Sequence, residues 1–383
     1  VNTTKISTPD IVKNTTIQGI YKPNYTRYLI TAASLVAILA LLSITALGAY
    51  TLLPAKIHYR ITKTFHIYQT TGDAEINLGL MLPKSGPYQS VHNLSIQWDG
   101  DQEIKSRAYV DLLELSGQVN ADGEKTALVD YEVTLAQGNP SWQAPVAKFD
   151  MLPQEGIESN HEEIKTAASS VLSGASGNPA ARIFQFVSSY LDYSENGCEE
   201  TNVSALEAFR TRVGACIGYS RLMVALCRAS GIPAKMIIGT ILPDILFSLP
   251  HDEASSVPGS GHAWVEYNLQ DSWHFADPSW GYTNIGFPTF NHNDGRHLSL
   301  GDFDQFTASK AELFNWATED ASPKNVQLTS IFASNSGQTE IATETSIRKT
   351  WDQRWLNVIL ALAAVAFILS KVRDRVISKY YPD

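Results

Sequence analysis

Two long apolar runs bracket the chain, and between them hydrophobic positions recur first with period two and then with a helical period. The first run, Tyr28 to Ala55, is 28 residues without a charge. It exceeds the roughly 20 residues that a helix needs to cross the hydrocarbon core of a bilayer, so 28–55 is predicted to be a transmembrane helix. Pro54-Ala55-Lys56 is a poor small-x-small site, which argues against a cleaved signal peptide. The second run, Trp355 to Ser370, has 16 uncharged residues. Trp351 and Trp355 at one end and Lys371, Arg373 and Arg375 at the other extend it by interfacial anchoring and snorkelling. That gives a second predicted span over 351–371; a buried globular helix is the other reading of this shorter run.

Alternation begins at Ile57, Tyr59 and Ile61 and continues through Phe65 and Ile67, as a half-buried strand requires. Ile76, Leu78, Leu80 and Leu82 repeat the pattern, as do Val129, Tyr131, Val133 and Leu135, with turn signals at Asp99-Gly100 and Asp122-Gly123. The spacing predicts an antiparallel sandwich over 56–150, ending in an aperiodic Pro- and Gly-bearing connection around 136–160. Helical periodicity then takes over. Asn178-Pro179 supplies an N-cap and a first-turn proline, and Ser204 to Glu207 forms a capping box. After Cys216, residues Tyr219, Leu222, Met223 and Leu226 share one helical face, closed by Gly231 and Pro233. Three strand-like segments follow, AKMIIGT, HAWVEYNL and SWHFADP, so 151–320 reads as an α+β domain. Ser-, Thr-, Asn- and Gln-rich residues 321–350 read as a linker to the second span.

Only 18% of residues are charged while 44% are hydrophobic, and the net charge is −10. That composition excludes a disordered or nucleic-acid-coating chain. Two spans without an intramembrane charge offer no pathway for a transporter. They place the tails, 1–27 and 372–383, on one side of the membrane. Both tails are net basic, so the acidity belongs to the region between the spans. The tails are therefore expected in the cytoplasm and the large domain outside it, periplasmic or extracellular. Three cysteines are too few for a disulfide framework or a four-thiolate zinc site.

One cysteine stands where a nucleophilic thiol is best served. Cys216 follows Gly214-Ala215 at the start of a predicted helix, whose first N–H groups and dipole favour thiolate over thiol. A buried structural thiol is the other reading, and it suits Cys227, in mid-helix; a Cys198–Cys227 disulfide is left open. A thiolate needs an imidazole, and the imidazole needs an orienting group. His262 opens one predicted strand and Asp277 closes the next, so a hairpin about LQDS brings them together. His251, His274, His292 and His297 lack comparable spacing.

GACIGYSRLMVALCRASGIPAKMIIG, then GHAWVEY, then WHFADPSWG, resemble the transglutaminase-like core over about residues 160–310. The upstream LMLPKSGPYQSVHNLSI is similar to the sandwich that precedes this core in bacterial members, and HLSLGDFDQF resembles a family segment beyond the aspartate. The resemblance implies a papain-like α+β fold, with a helix bearing the nucleophile packed on a small antiparallel sheet. It implies Cys216 as nucleophile, His262 as general base and acid, and Asp277 as the orienting residue. The backbone N–H of Cys216 and the Tyr193 side chain are the candidate oxyanion donors. Ile217-Gly218 stands where an acidic residue is often found, and Ser279 where threonine is usual. No metal or cofactor pattern is evident; Asn291 to Gly295 is acidic but not an EF-hand.

The expected reaction is attack of the Cys216 thiolate on a carboxamide or peptide carbonyl, giving a thioester resolved by an amine or by water. This describes a membrane-anchored acyltransferase or amidase/peptidase acting on protein, peptide or cell-wall peptide substrates. A catalytically silent module of the same fold, binding peptides or envelope partners, is the alternative. The presence of all three reactive residues argues against it.

Overall fold

The computed structural model describes residues 25–69, 72–106, 111–174, 176–194, 203–242, 260–281, 289–302, 331–334 and 339–380. The two apolar runs are helices α1 (Tyr25–Leu52) and α6 (Gln353–Tyr380). Each carries a 20-residue stretch long and apolar enough to cross a membrane, Ala33–Leu52 and Gln353–Val372. Pro54 ends α1, because proline has no N–H to continue the ladder, and β1 (Ala55–Gln69) begins at once. Trp351 is therefore strand and not span: β16 (Thr339–Asp352) runs directly into α6. At that junction Asp352 accepts from Arg354 Nε at 2.8 Å and Nη2 at 2.7 Å, and the Arg354 guanidinium lies 4.3 Å from the Tyr50 ring centroid on α1. Ala49, Tyr50 and Val358 are buried between the helices.

The sandwich forms where alternation predicts it. In one sheet β1 lies between β6 (Glu124–Gly138) and β16, all antiparallel. β3 (Gln89–Gln97) and, further along, the short β13 (Asn293–Asp294) pair with the other edge of β6. The facing sheet runs β15–β2–β5–β4, from β2 (Ala74–Leu82), β4 (Asp101–Ser106), β5 (Asp111–Val119) and β15 (Ile331–Ser334). Ile57, Ile61, Phe65, Leu78, Leu115, Val129 and Tyr131 fill the space between. Lys63 shares that inner row of β1 and is fully buried.

Much of the stretch expected to be a spacer is thus sheet. Within 321–350, residues 331–334 and 339–350 are strand, and Ile341 and Ile347 of β16 lie opposite Ile67 and Ile61. β16 is an edge strand with one face on the core, so it needs few apolar residues, and its Thr-rich composition suits a half-exposed strand. The connection after the sandwich also differs: β6 extends to Gly138, and β7 (Ser141–Trp142) joins the sheet of the following α+β domain.

That sheet has the order β14–β10–β11–β12–β7, with β10 (Ala234–Ile241), β11 (Ser260–Leu269), β12 (Ser272–Ala276) and β14 (His297–Asp302). Against it pack α2 (Glu162–Leu172), α3 (Pro179–Tyr190), α4 (Ala205–Thr211) and α5 (Cys216–Ala229). Both predicted caps form. Asn178 Oδ1 accepts from the N–H of Ala180 at 2.9 Å, and Ser204 Oγ from that of Glu207 at 3.1 Å. α5 is buried almost all round; its basic Arg228 is accommodated by donating to the carbonyls of Ala234 and Leu152 at 2.8 and 2.7 Å.

Sandwich and core are bonded together beside the sheet edge that carries the site. The Gln89 amide donates to the Ser299 carbonyl at 2.9 Å and accepts from the Ser299 N–H at 2.7 Å. Tyr88 OH accepts from Trp264 Nε1 at 3.1 Å and donates to Glu266 at 2.8 Å. Gln137, in register with Asp294 of β13, donates through its side chain to the carbonyls of Tyr50 and Leu53 at the end of α1.

Candidate active site

Cys216 is the first residue of α5, behind an N-cap, Ala215, that supplies no side-chain hydrogen bond. The helix thus opens without a side-chain acceptor on its first N–H groups, and its dipole favours an anion at this point. The approach is fixed by two short strands, β8 (Asp192–Tyr193) and β9 (Val213–Gly214), paired in parallel. Arg212 turns the chain into β9 with a left-handed φ of 59°. The Cys216 side chain is buried but not sealed, at 8% exposure.

His262 and Asp277 meet as the hairpin requires. Gln270 and Asp271, both at positive φ, form the two-residue turn between β11 and β12, a geometry that matches the twist of the paired strands. Val265 lies opposite Ala276, which brings the start of β11 and the end of β12 to one edge. There His262 Nε2 donates to Asp277 Oδ2 at 2.8 Å. The second ring nitrogen is left for Cys216, with which His262 also hydrogen-bonds. Gly239 of β10 faces His262; a Cβ at that position would run into the Leu298 carbonyl and the Trp264 ring. The glycine therefore lets β14 and the Trp264 ring pack against β10 beside His262.

The electrostatics follow from that packing. Burial by itself would lower the His262 pKa, but the charge and hydrogen bond of Asp277, with a further bond from Cys216, outweigh it and raise it to about 10. Asp277 is fully buried, which alone would raise its pKa; His262 and then His297 drive it far below the usual carboxylate range. Its other oxygen, Oδ1, accepts from the N–H of Ser279 at 3.0 Å, the Ser279 hydroxyl at 2.7 Å and the N–H of Trp280 at 3.2 Å. Ser279, the departure from the family's threonine, therefore keeps a hydroxyl on the carboxylate.

One member of the array is not legible in the sequence. His297 Nε2 lies 3.2 Å from Asp277 Oδ2, and its Nδ1 lies 3.0 Å from Asp294 Oδ1. Spacing along the chain ranks His297 with the other unassigned histidines; the order β14–β10–β11–β12 brings it to Asp277 from the far side of the sheet. His262, Asp277 and His297 place three ligand-type atoms within 4.8 Å of one another. Both imidazoles meet the same carboxylate oxygen, Asp277 Oδ2.

The remaining candidates separate. Tyr193 lies opposite Gly214, its ring 6.1 Å from that of Tyr219, and is 49% exposed beside the approach to Cys216. Cys227 is a free, fully buried thiol whose pKa burial raises to about 12, so it is no nucleophile; Cys198 lies outside the described residues. In the acidic Asn291–Gly295 segment, Asn293 accepts from the N–H of Gly295 and Asp294 is engaged by His297.

Residues 165–278 match the transglutaminase-like superfamily model, an interval that contains Cys216, His262 and Asp277. Among solved structures the chain is similar to a candidate cysteine protease from Cytophaga hutchinsonii, at 13% identity and a TM-score of 0.47, covering 78% of this chain and 100% of that one. It is also similar to the periplasmic domain of TgpA from Pseudomonas aeruginosa, in its ethylmercury complex, at 14% identity and a TM-score of 0.27, covering 62% and 94%. No curated protein gives a significant sequence match. Residues 165–278 are thus a transglutaminase-like domain.

Proposed function

We propose that this protein is a membrane-anchored thiol enzyme that transfers or hydrolyses acyl groups of protein or peptide amides through a thioester on Cys216. The observation that carries the reading is the juxtaposition of Cys216, at the start of α5, with an imidazole whose other nitrogen is held by a fully buried carboxylate.

The Cys216 thiolate attacks the amide carbonyl carbon, forming the S–C bond and placing the negative charge on oxygen. The backbone N–H of Cys216 and the Tyr193 hydroxyl are the proposed donors to that oxyanion. Collapse breaks the C–N bond as the His262 imidazolium gives its proton to the departing nitrogen, releasing ammonia or an amine and leaving the thioester. The now neutral His262 takes a proton from the incoming nucleophile. An amine yields a new amide and water yields an acid; either way the thiolate and imidazolium are restored. Asp277 keeps the ring in the one tautomer that can do this.

The two apolar helices support the anchoring. They lie against each other and enter adjacent strands of one sheet, so the domain is mounted at both ends, with the tails assigned to the cytoplasm and the catalytic domain outside it. The test is intact-mass analysis of the full chain in detergent with glutamine-bearing peptides, with and without a primary amine. An acyl adduct on Cys216, lost in Cys216→Ala with activity falling at least about 10³-fold, is the expected result. Undiminished turnover by Cys216→Ala would sink the reading. The balance of amide against acid product decides between transfer and hydrolysis.

A further inference from the structure

Asp277 is held by two histidines, of which His262 is the one bonded to the thiol. A neutral imidazole has a single N–H to give. His297 faces a carboxylate oxygen at both nitrogens, Asp277 at 3.2 Å and Asp294 at 3.0 Å, so a neutral ring would set a lone pair against one of them. The imidazolium satisfies both. We infer that His297 is a positioning residue for the reaction: clamped between Asp277 and Asp294, it fixes the Asp277 carboxylate toward His262 and supplies a buried positive charge that limits how tightly Asp277 holds the proton on His262. The inference rests on the reading of Cys216 and His262 as the reacting pair.

The surroundings suit a fixed cation. The His297 ring is 1% exposed and walled by Phe275, Trp264 and Trp280, with centroids 4.9, 5.0 and 5.2 Å away. Asp294 is itself held by the Arg296 N–H at 3.0 Å, with the Arg296 guanidinium at 3.9 Å, and its strand is bonded to β6 of the sandwich. The charged or titratable groups facing His297 are Asp277 and Asp294, then His262 with its ring 5.6 Å away, and Arg296 behind Asp294. From β10, the position opposite His297 is the apolar Ile241. Burial alone would lower the His297 pKa, and the two carboxylates raise it instead.

With His297 charged, the negative charge of Asp277 is divided between two imidazolium rings. Removing that charge leaves Asp277 wholly to His262, which then keeps its proton to higher pH. His297→Gln retains a side-chain N–H donor without the charge, and Asp294→Asn weakens the charge from the other end. The readout is the rate of Cys216 carboxymethylation by iodoacetate as a function of pH, on the full chain in detergent micelles. The anionic reagent is drawn in by the His262 imidazolium, so its rate falls as that ring deprotonates.

The alkaline limb is expected to move up by about one pH unit in His297→Gln and by less in Asp294→Asn. A purely structural role would lower the melting temperature or the plateau rate without moving the limb. Folded variants with the parental limb overturn the inference, and if His297→Gln does not fold, Asp294→Asn decides. A parental Cys216 that reacts no faster than the unfolded chain overturns the nucleophile assignment instead, and this inference with it.

Discussion

Lys63 in the sandwich and His262 in the core are both basic side chains in β-structure with little access to water, yet their surroundings drive them in opposite directions. Lys63 is fully buried on the inner row of β1, across from Val129 and Thr345 and 6.0 Å from the Tyr131 ring centroid. Desolvation lowers its pKa to about 7. His262 is 9% exposed, and its pKa rises to about 10, because a buried carboxylate accepts its N–H. Burial disfavours charge wherever it acts; at His262 the Asp277 carboxylate outweighs it.

The strongest way to break the contrast is to remove the carboxylate. Asp277→Asn removes the buried carboxylate from His262 and a counter-charge from His297. Activity is expected to fall by about 10⁴-fold, as when a triad aspartate is lost and the tautomer is no longer fixed. Stability is expected to fall by about 3–5 kcal/mol, the usual consequence of halving a buried ion pair. Steady-state rates together with urea unfolding check both; a variant of parental rate would show that Asp277 has no orienting role.

The converse change acts on the sandwich. Lys63→Met replaces a buried amine with an apolar chain of similar length and is expected to remove the part of the pH dependence of stability that Lys63 supplies. The sign with pH follows from the pKa directions. The folded Lys63 prefers the neutral form, so its penalty is full below pH 7 and fades as pH rises from 7 toward 10.5. The His262 contribution runs the other way: it is complete below about 6.5 and is lost as pH climbs through about 10. Thermal melts of Lys63→Met should therefore decline between pH 7 and 10 more steeply than those of the parent. A parallel pair of curves would mean that Lys63 does not titrate in this window.

The smallest effect is expected at the surface. Arg60 makes a bidentate pair with Asp130, but Arg60 is 56% exposed and solvent screens the interaction. Arg60→Ala should leave the melting temperature unchanged, which distinguishes an exposed ion pair from the two buried sites.

How much of this could be read from the chain differs by element. The caps at Asn178 and Ser204 and the hairpin joining His262 to Asp277 are local arrangements within a few to about fifteen residues, and alternation and capping chemistry suffice to expose them. Cys216 was legible because glycine, helix start and thiol coincide in three residues. His297 was not: it reaches Asp277 through β14 and β10, and no local pattern encodes which strands of a sheet are neighbours. The 339–350 strand was missed for a related reason, since an edge strand with one wet face resembles a polar spacer until its partner is known.

The modest charge fraction and the two uncharged runs fixed, without any structure, that this chain holds two long apolar helices around an acidic middle. The order of Cys216, His262 and Asp277 pointed to thiol chemistry, because nucleophile, base and orienting group are defined by side-chain type. Only the tertiary structure decided that the last strand before α6 completes the sandwich, that the sandwich braces the strand carrying Asp294, and that His297 lies on the orienting carboxylate. Those are long-range pairings, set by which surfaces bury together, and periodicity records only that a surface must be buried.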